Sequence, residues 1–144
     1  MQPSQVFIIA PYDPDGQRVQ DTVRQAIEEA GFEVVQNVGN VRPGAVLASS
    51  VLDGIRGADL IIADVSRPNP NVFYEMGFAH ALRKPTILLF DIKSGSSLPS
   101  DLAGLEYIAY DPTNFRRLAD LVRTITRRPN DGAWIVPLPA VRGS

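Results

Sequence analysis

Apolar and polar positions switch between two periods along this chain, and the switches mark its elements. Residues 6–10, VFIIA, are a continuous apolar run, the pattern of a strand covered on both faces. Residues 11–16, PYDPDG, are turn chemistry. Over 17–30, Val19, Val23, Ala26, Ile27 and Ala30 recur at helical spacing, and Gly31 stands where a helix stop is expected. A second strand is predicted over 32–38 and a loop over 37–44. A helix over 45–56 rests on Val46, Leu47, Val51, Leu52 and Ile55. A third strand (59–65), a loop (66–71) and a third helix (72–83, stopped before Pro85) follow. Then come a strand over 86–90, a polar Ser/Gly-rich stretch over 91–104, a strand over 107–110 and a helix over 113–127. That last helix carries Phe115, Leu118, Leu121, Val122 and Ile125 on one side. The tail, 133–141, holds the single tryptophan, Trp134, and is expected to add a short strand or pack over the outside.

Strands and helices alternate, and the strands are near-continuous runs of Val, Ile and Leu. The fold class that follows is α/β: a flavodoxin- or Rossmann-like, doubly wound, five-stranded parallel sheet in order 2-1-3-4-5. There is no internal repeat, and 91–104 is too short to separate two domains, so 1–144 reads as a single domain. Ligands of such sheets sit beyond the carboxyl ends of the strands, where the strand order reverses between strands one and three. The loops at 11–16, 37–44, 66–71 and 91–97 are expected to build the site.

Composition narrows the chemistry. The chain has 144 residues, 44% of them hydrophobic, enough for a full core. A net charge of −2 offers no electrostatic basis for binding polymeric nucleic acid or an anionic membrane. With no cysteine, disulfides and thiolate chemistry are excluded; with one histidine, His80, a multi-histidine metal centre is disfavoured. No metal and no cofactor are expected. No apolar stretch reaches the ~20 residues that span a bilayer, and MQPSQVFIIA has neither a basic start nor a long apolar run. The expectation is a cytoplasmic protein with no membrane partner.

The unusual residue is Glu75, an acid inside the greasy segment VFYEMGF. On the helix Val72, Met76, Ala79 and Arg83 share one side, and Tyr74, Phe78 and Ala81 lie roughly opposite. A helix apolar nearly all round is buried against more than its sheet, which predicts a homodimer or larger assembly through the 72–83 helix. The i+3 and i+4 neighbours of Glu75 are Phe78 and Ala79, so no local ion pair accounts for it. It is about a turn and a half from the helix start, near the ligand-bearing edge. Two readings stand: a desolvated acid of raised pKa, or one that reaches water or a distant arginine. Asn69 and Pro70 make a good N-cap and N1 pair, with Asn71 as the alternative cap. Backbone N–H groups free at that helix start would suit an anion. Gly77 is expected to allow close packing. Asp64, ending the third strand, either binds a sugar hydroxyl or ties down the next loop through Ser66. His80, nearly 140° around the helix from Glu75, is expected to pack rather than to partner it.

Residues 58–89, ADLIIADVSRPNPNVFYEMGFAHALRKPTILL, resemble the core of the nucleoside 2-deoxyribosyltransferase-like superfamily. The group includes deoxynucleoside 5′-monophosphate N-glycosidases and hydroxymethyl-CMP hydrolases, and it is similar to bacterial TIR-like domains that cleave NAD. The shared pattern falls here on Asp64, Ser66, Pro68, Tyr74, Glu75, Gly77, Ala79 and Ala81. The resemblance implies that Glu75 is a nucleophile toward the anomeric carbon of a nucleoside, the catalytic group together with Asp64, which would contact the sugar. It implies substrate-binding roles for Pro11, Tyr12, Ser66, Asn69 and Asn71, with Asn69 where relatives hold a 5′-phosphate with a serine. Arg42 is a candidate phosphate or carboxylate partner. The function implied is cleavage or transfer of the N-glycosidic bond of a nucleoside or nucleotide. The alternatives are a TIR-like NAD hydrolase and a non-catalytic nucleotide-binding or oligomerisation module. Two departures stand out. Many members carry an aspartate about two turns before the Ala-Asp pair, where this chain has Val51, with Asp53 rotated by about 200°. In place of a glycine-rich phosphate loop the chain has PYDPDGQR, closer to the TIR-like branches, whose Asp13 and Asp15 would repel a phosphate unless Arg18 screened them.

Overall fold

A computed structural model describes residues 5–35, 47–67, 69–95 and 107–126. Its elements run β1 (Gln5–Ile9), α1 (Pro14–Glu29), β2 (Glu33–Val35), α2 (Leu47–Gly57), β3 (Leu60–Asp64), α3 (Pro70–Ala81), β4 (Thr86–Asp91), β5 (Tyr107–Tyr110) and α4 (Phe115–Thr126). All four strand pairings are parallel and the order is β2-β1-β3-β4-β5, as expected. The reversal lies between β1 and β3, where Ile9 stands beside Ala63. Trp134 and Arg42 lie outside the described residues.

Alternation along the strands sorts the core into two layers. Val6, Ile8, Leu60, Ile62, Ile87, Leu89, Ile108 and Tyr110 face α1 and α4. Phe7, Ile9, Ile61, Ala63 and Leu88 face the other way, onto Val51 and Ile55 of α2 and Val72, Met76 and Ala79 of α3. Both faces of the sheet are therefore dry, which is why the strands read as apolar runs. Val51, where the family pattern has an acid, is part of this core, while Asp53 is exposed and paired with Arg56.

The two helices that open toward the site start earlier than the periodicity indicates, for the same reason. α1 begins with Asp13 as N-cap and Pro14 at N1, so residues 14–16 are helical rather than turn. Gly16 is needed there, because a Cβ would lie 2.0 Å from the Pro11 carbonyl oxygen. α3 begins with Asn69 as N-cap and Pro70 at N1, which settles the choice between Asn69 and Asn71. At the other end of α1, Gly31 adopts φ +95°, the left-handed stop. The close packing expected at Gly77 is not found within the described chain: a Cβ there would meet no atom within 4 Å.

Candidate active site

Two described carboxyl-end loops bring side chains to the rim of the sheet. The β1–α1 loop carries Pro11, Tyr12 and Asp13, the first turn of α1 carries Asp15, and the β3–α3 loop carries Ser66, Arg67 and Asn69. Glu75 projects from the second turn of α3. It is 7% exposed. Its one hydrogen bond among the described residues comes from the Tyr12 hydroxyl, 3.4 Å from Oε1, across 63 residues of sequence. No described lysine or arginine pairs with it. Burial raises the carboxyl from 4.5 to about 7, against a smaller lowering by the Tyr12 hydroxyl.

Asp64 is buried more deeply, at 1% exposed, and lies among different company. Its Oδ1 accepts from the Ser66 amide at 3.0 Å and from the Ser66 hydroxyl. Its Oδ2 accepts from the Tyr110 hydroxyl at 3.1 Å. Ser66 Oγ in turn accepts from the Asp91 amide at 2.8 Å, joining the ends of β3, β4 and β5. Burial raises the Asp64 carboxyl; the bonds from Ser66 and Tyr110 oppose it. Burial and the Asp64 charge raise the Tyr110 phenol. Of the two readings of Asp64, the tie to the following loop is present.

By strand alternation Asp64 belongs to the α1/α4 side of the sheet, whereas α3 packs on the other. A cleft of about 310 Å³ opens on the Asp64 side, walled by Asp15, Arg18, Asp64, Ser66, Arg67, Asp91, Tyr110 and Phe115 among others. Glu75 is not in its wall. The structure thus joins Tyr12 to Glu75, and Ser66 to Asp64, as two clusters on either side of the reversal point.

Asn69 is spent on its helix: its Oδ1 accepts from the Asn71 amide at 2.9 Å and the Val72 amide at 3.1 Å. The Phe73 amide bonds the Asn69 carbonyl and Pro70 has no N–H, so the first turn of α3 does not present the free donors expected of it. Asn71 itself is exposed. Arg18 does not screen the acids of the first loop; its guanidinium lies 4.9 Å from the Phe115 ring centre. Arg67 takes that role, 2.9 Å from Asp13 Oδ1 and 3.4 Å from Asp15 Oδ2. His80 stands apart from Glu75, with Nε2 buried and unbonded among the described residues and its pKa lowered by burial. Sequence reasoning missed Arg67 and Tyr110. Their partners are 44 to 54 residues away, beyond any local pattern; the unpaired acids at 13 and 15 were the one available signal.

Residues 6–105 match the family model described as nucleoside 2-deoxyribosyltransferase. The chain belongs to that family. A 5-hydroxymethyl-dUMP N-hydrolase from Mus musculus is 42% identical over 50 residues, 35% of this chain and 29% of the relative. The same enzyme from Rattus norvegicus is 40% identical over 53 residues, 37% of this chain and 32% of the relative. The matched stretch thus spans about a third of these relatives. Among solved structures, a CMP N-glycosidase from Clostridium botulinum superposes with TM-score 0.61 at 24% identity, over 80% of this chain and 98% of that one. A 2-deoxyribosyltransferase from Bacillus psychrosaccharolyticus gives 0.65 at 13% identity, over 94% and 100%. A TIR domain from Hydra magnipapillata gives 0.59 at 21%, over 82% and 97%. At these identities the superpositions establish the shared fold. No helix among the described residues is long and apolar enough to cross a membrane.

Proposed function

We propose that this family member cleaves or transfers the N-glycosidic bond of a nucleoside or nucleotide, with Glu75 as nucleophile. The observation that carries the proposal is the state of that carboxyl: buried, joined to Tyr12 by one long bond, unpaired with any described cation, and titrating at about 7. A carboxyl kept so nearly idle in a desolvated position is one a structural role would not need. The mechanism follows from its chemistry. One Glu75 oxygen bonds to the anomeric carbon as the C–N bond breaks; the bonding pair leaves with the base, which takes up a proton. Water or a second base then attacks the same carbon and releases the carboxylate. Only the ionised form attacks, so turnover depends on the fraction of Glu75 deprotonated. The named relatives, which act on nucleotides and nucleosides, support the same reaction class.

The test is chromatographic. Wild type and Glu75→Gln are incubated with deoxynucleosides, their 5′-monophosphates and NAD, and free base is measured. Base release by wild type and none by the variant is the expected outcome. Equal release by both removes Glu75 from the chemistry, and binding without release would leave a nucleotide-binding module. The proposal extends to a homodimer or larger assembly through the 72–83 helix, where Tyr74, beside Glu75 in sequence, is 64% exposed. A monomer by light scattering at micromolar concentration removes that extension.

A further inference from the structure

We propose that the cleft on the Asp64 side of the sheet is a second binding site, apart from Glu75, for a small zwitterion: an ω-amino acid whose carboxylate meets Arg18 and whose ammonium meets Asp91. The cleft holds about 310 Å³, at the lower end of the ~300–1,000 Å³ usual for small-molecule sites. Neither Glu75 nor Tyr12 is in its described wall.

Its place follows from the sheet. On the α1/α4 face, β3, β4 and β5 present Leu60, Ile62, Ile87, Leu89 and Ile108. At their carboxyl ends stand Asp64, Asp91 and Tyr110, and alternation points all three to that same face. Over them, Arg18 of α1 lies 4.9 Å from the ring centre of Phe115, the first residue of α4. Most charges in the wall are already engaged. Asp64 accepts from Ser66 and Tyr110, and Arg67 pairs with Asp13 and Asp15. Arg18 and Asp91 differ: neither makes an ion pair among the described residues, with each other or with any other group. Asp91 Oδ1 accepts the Lys93 amide at 2.7 Å, which leaves its charge uncompensated.

Two opposite charges thus stand apart in one cleft, with Val19, Pro112 and Phe115 as apolar wall. A simple anion would gain Arg18 but meet Asp15 and Asp91. A simple cation would gain Asp91 but meet Arg18. A ligand with both charges on a short methylene chain gains two charge-assisted bonds and buries its chain.

The test is a titration followed by amide NMR shifts, with glycine, β-alanine, γ-aminobutyrate and 5-aminovalerate as probes. Butyrate and n-butylamine are controls carrying one charge each. One member of the series should bind at least about tenfold tighter than either control. Arg18→Met, which keeps an apolar stem over Phe115, and Asp91→Asn, which keeps the acceptor for Lys93, should each weaken that member at least about tenfold. Arg18→Met should leave n-butylamine binding undiminished, and Asp91→Asn should do the same for butyrate. Glu75→Gln should bind the zwitterion as wild type does. No zwitterion outbinding both controls overturns the inference, and that comparison needs only wild-type protein. So does an affinity that either substitution leaves unchanged in protein folded by circular dichroism. Loss of zwitterion binding in Glu75→Gln would place the ligand at the other site and overturns it too.

Discussion

Two acids are buried near the same edge of the sheet, and they are buried in opposite ways. Asp64 receives three donors from Ser66 and Tyr110 and holds the ends of three strands together. Among the described residues, Glu75 receives one long bond, from an exposed tyrosine, and ties no strand to another. Burial pushes both carboxyls upward, so a shifted pKa alone would not separate them. What separates them is hydrogen-bond satisfaction. A satisfied buried carboxylate is a joint, and an unsatisfied one is a stored capacity for interaction that a ligand can claim.

The sharpest way to break this contrast is to remove the Glu75 charge and follow chemistry. Glu75→Gln should lower base release at least about 1000-fold with the fold intact, read by single-turnover chromatography and circular dichroism. Removing Asp64 should act mainly on stability. Asp64→Ala strands the Ser66 amide and hydroxyl and the Tyr110 hydroxyl, and should cost on the order of 4 kcal/mol in chemical denaturation. If Asp64→Ala unfolds at the same denaturant concentration as wild type, the two acids are not different in kind.

The next effect is subtler, because it reverses the usual sign. The folded pKa of Glu75 lies above its unfolded value, so folding favours the protonated form. That stability is fully present below pH 4.5 and is lost as pH rises through about 7. Glu75→Gln, which never ionises, should therefore be more stable than wild type by about 3 kcal/mol at pH 8 and close to it at pH 4. The rate of base release should follow the opposite course in wild type, rising through about pH 7 as the nucleophile ionises. A rate that falls over that range would assign Glu75 the role of a proton donor instead. The smallest effect belongs to Tyr12→Phe: loss of a hydroxyl that lowers the Glu75 pKa should move the pH midpoint upward and leave thermal stability nearly unchanged.

The fold was legible because both faces of the sheet are covered, and buried strands announce themselves as unbroken Val/Ile/Leu runs. β5 was read to the residue, and strand order followed from right-handed crossovers and alternation. The first turns of α1 and α3 were not legible from periodicity, since Pro14 and Pro70 look like breakers and carry no apolar signal. Only the capping residues reveal them. In the site, Glu75 stood out as a local contradiction, an acid without a helical partner, and Asp64 as a strand-end acid followed by Ser66. The Asp64–Tyr110 bond was invisible, because it requires the pairing of Asp64 with Leu89 and of Asp91 with Tyr110 to be known first. The Arg67 ion pairs depend on the approach of the β3–α3 loop to the start of α1, which no periodicity encodes.

The separation of 3.4 Å between Tyr12 and Glu75 has a mechanical consequence. A contact that long is easily exchanged, so an arriving sugar can take the place of the phenol with little opposition. Had the two oxygens been drawn tightly together, the phenol would have stabilised the resting carboxylate and dulled its attack, and each turnover would begin by undoing that bond.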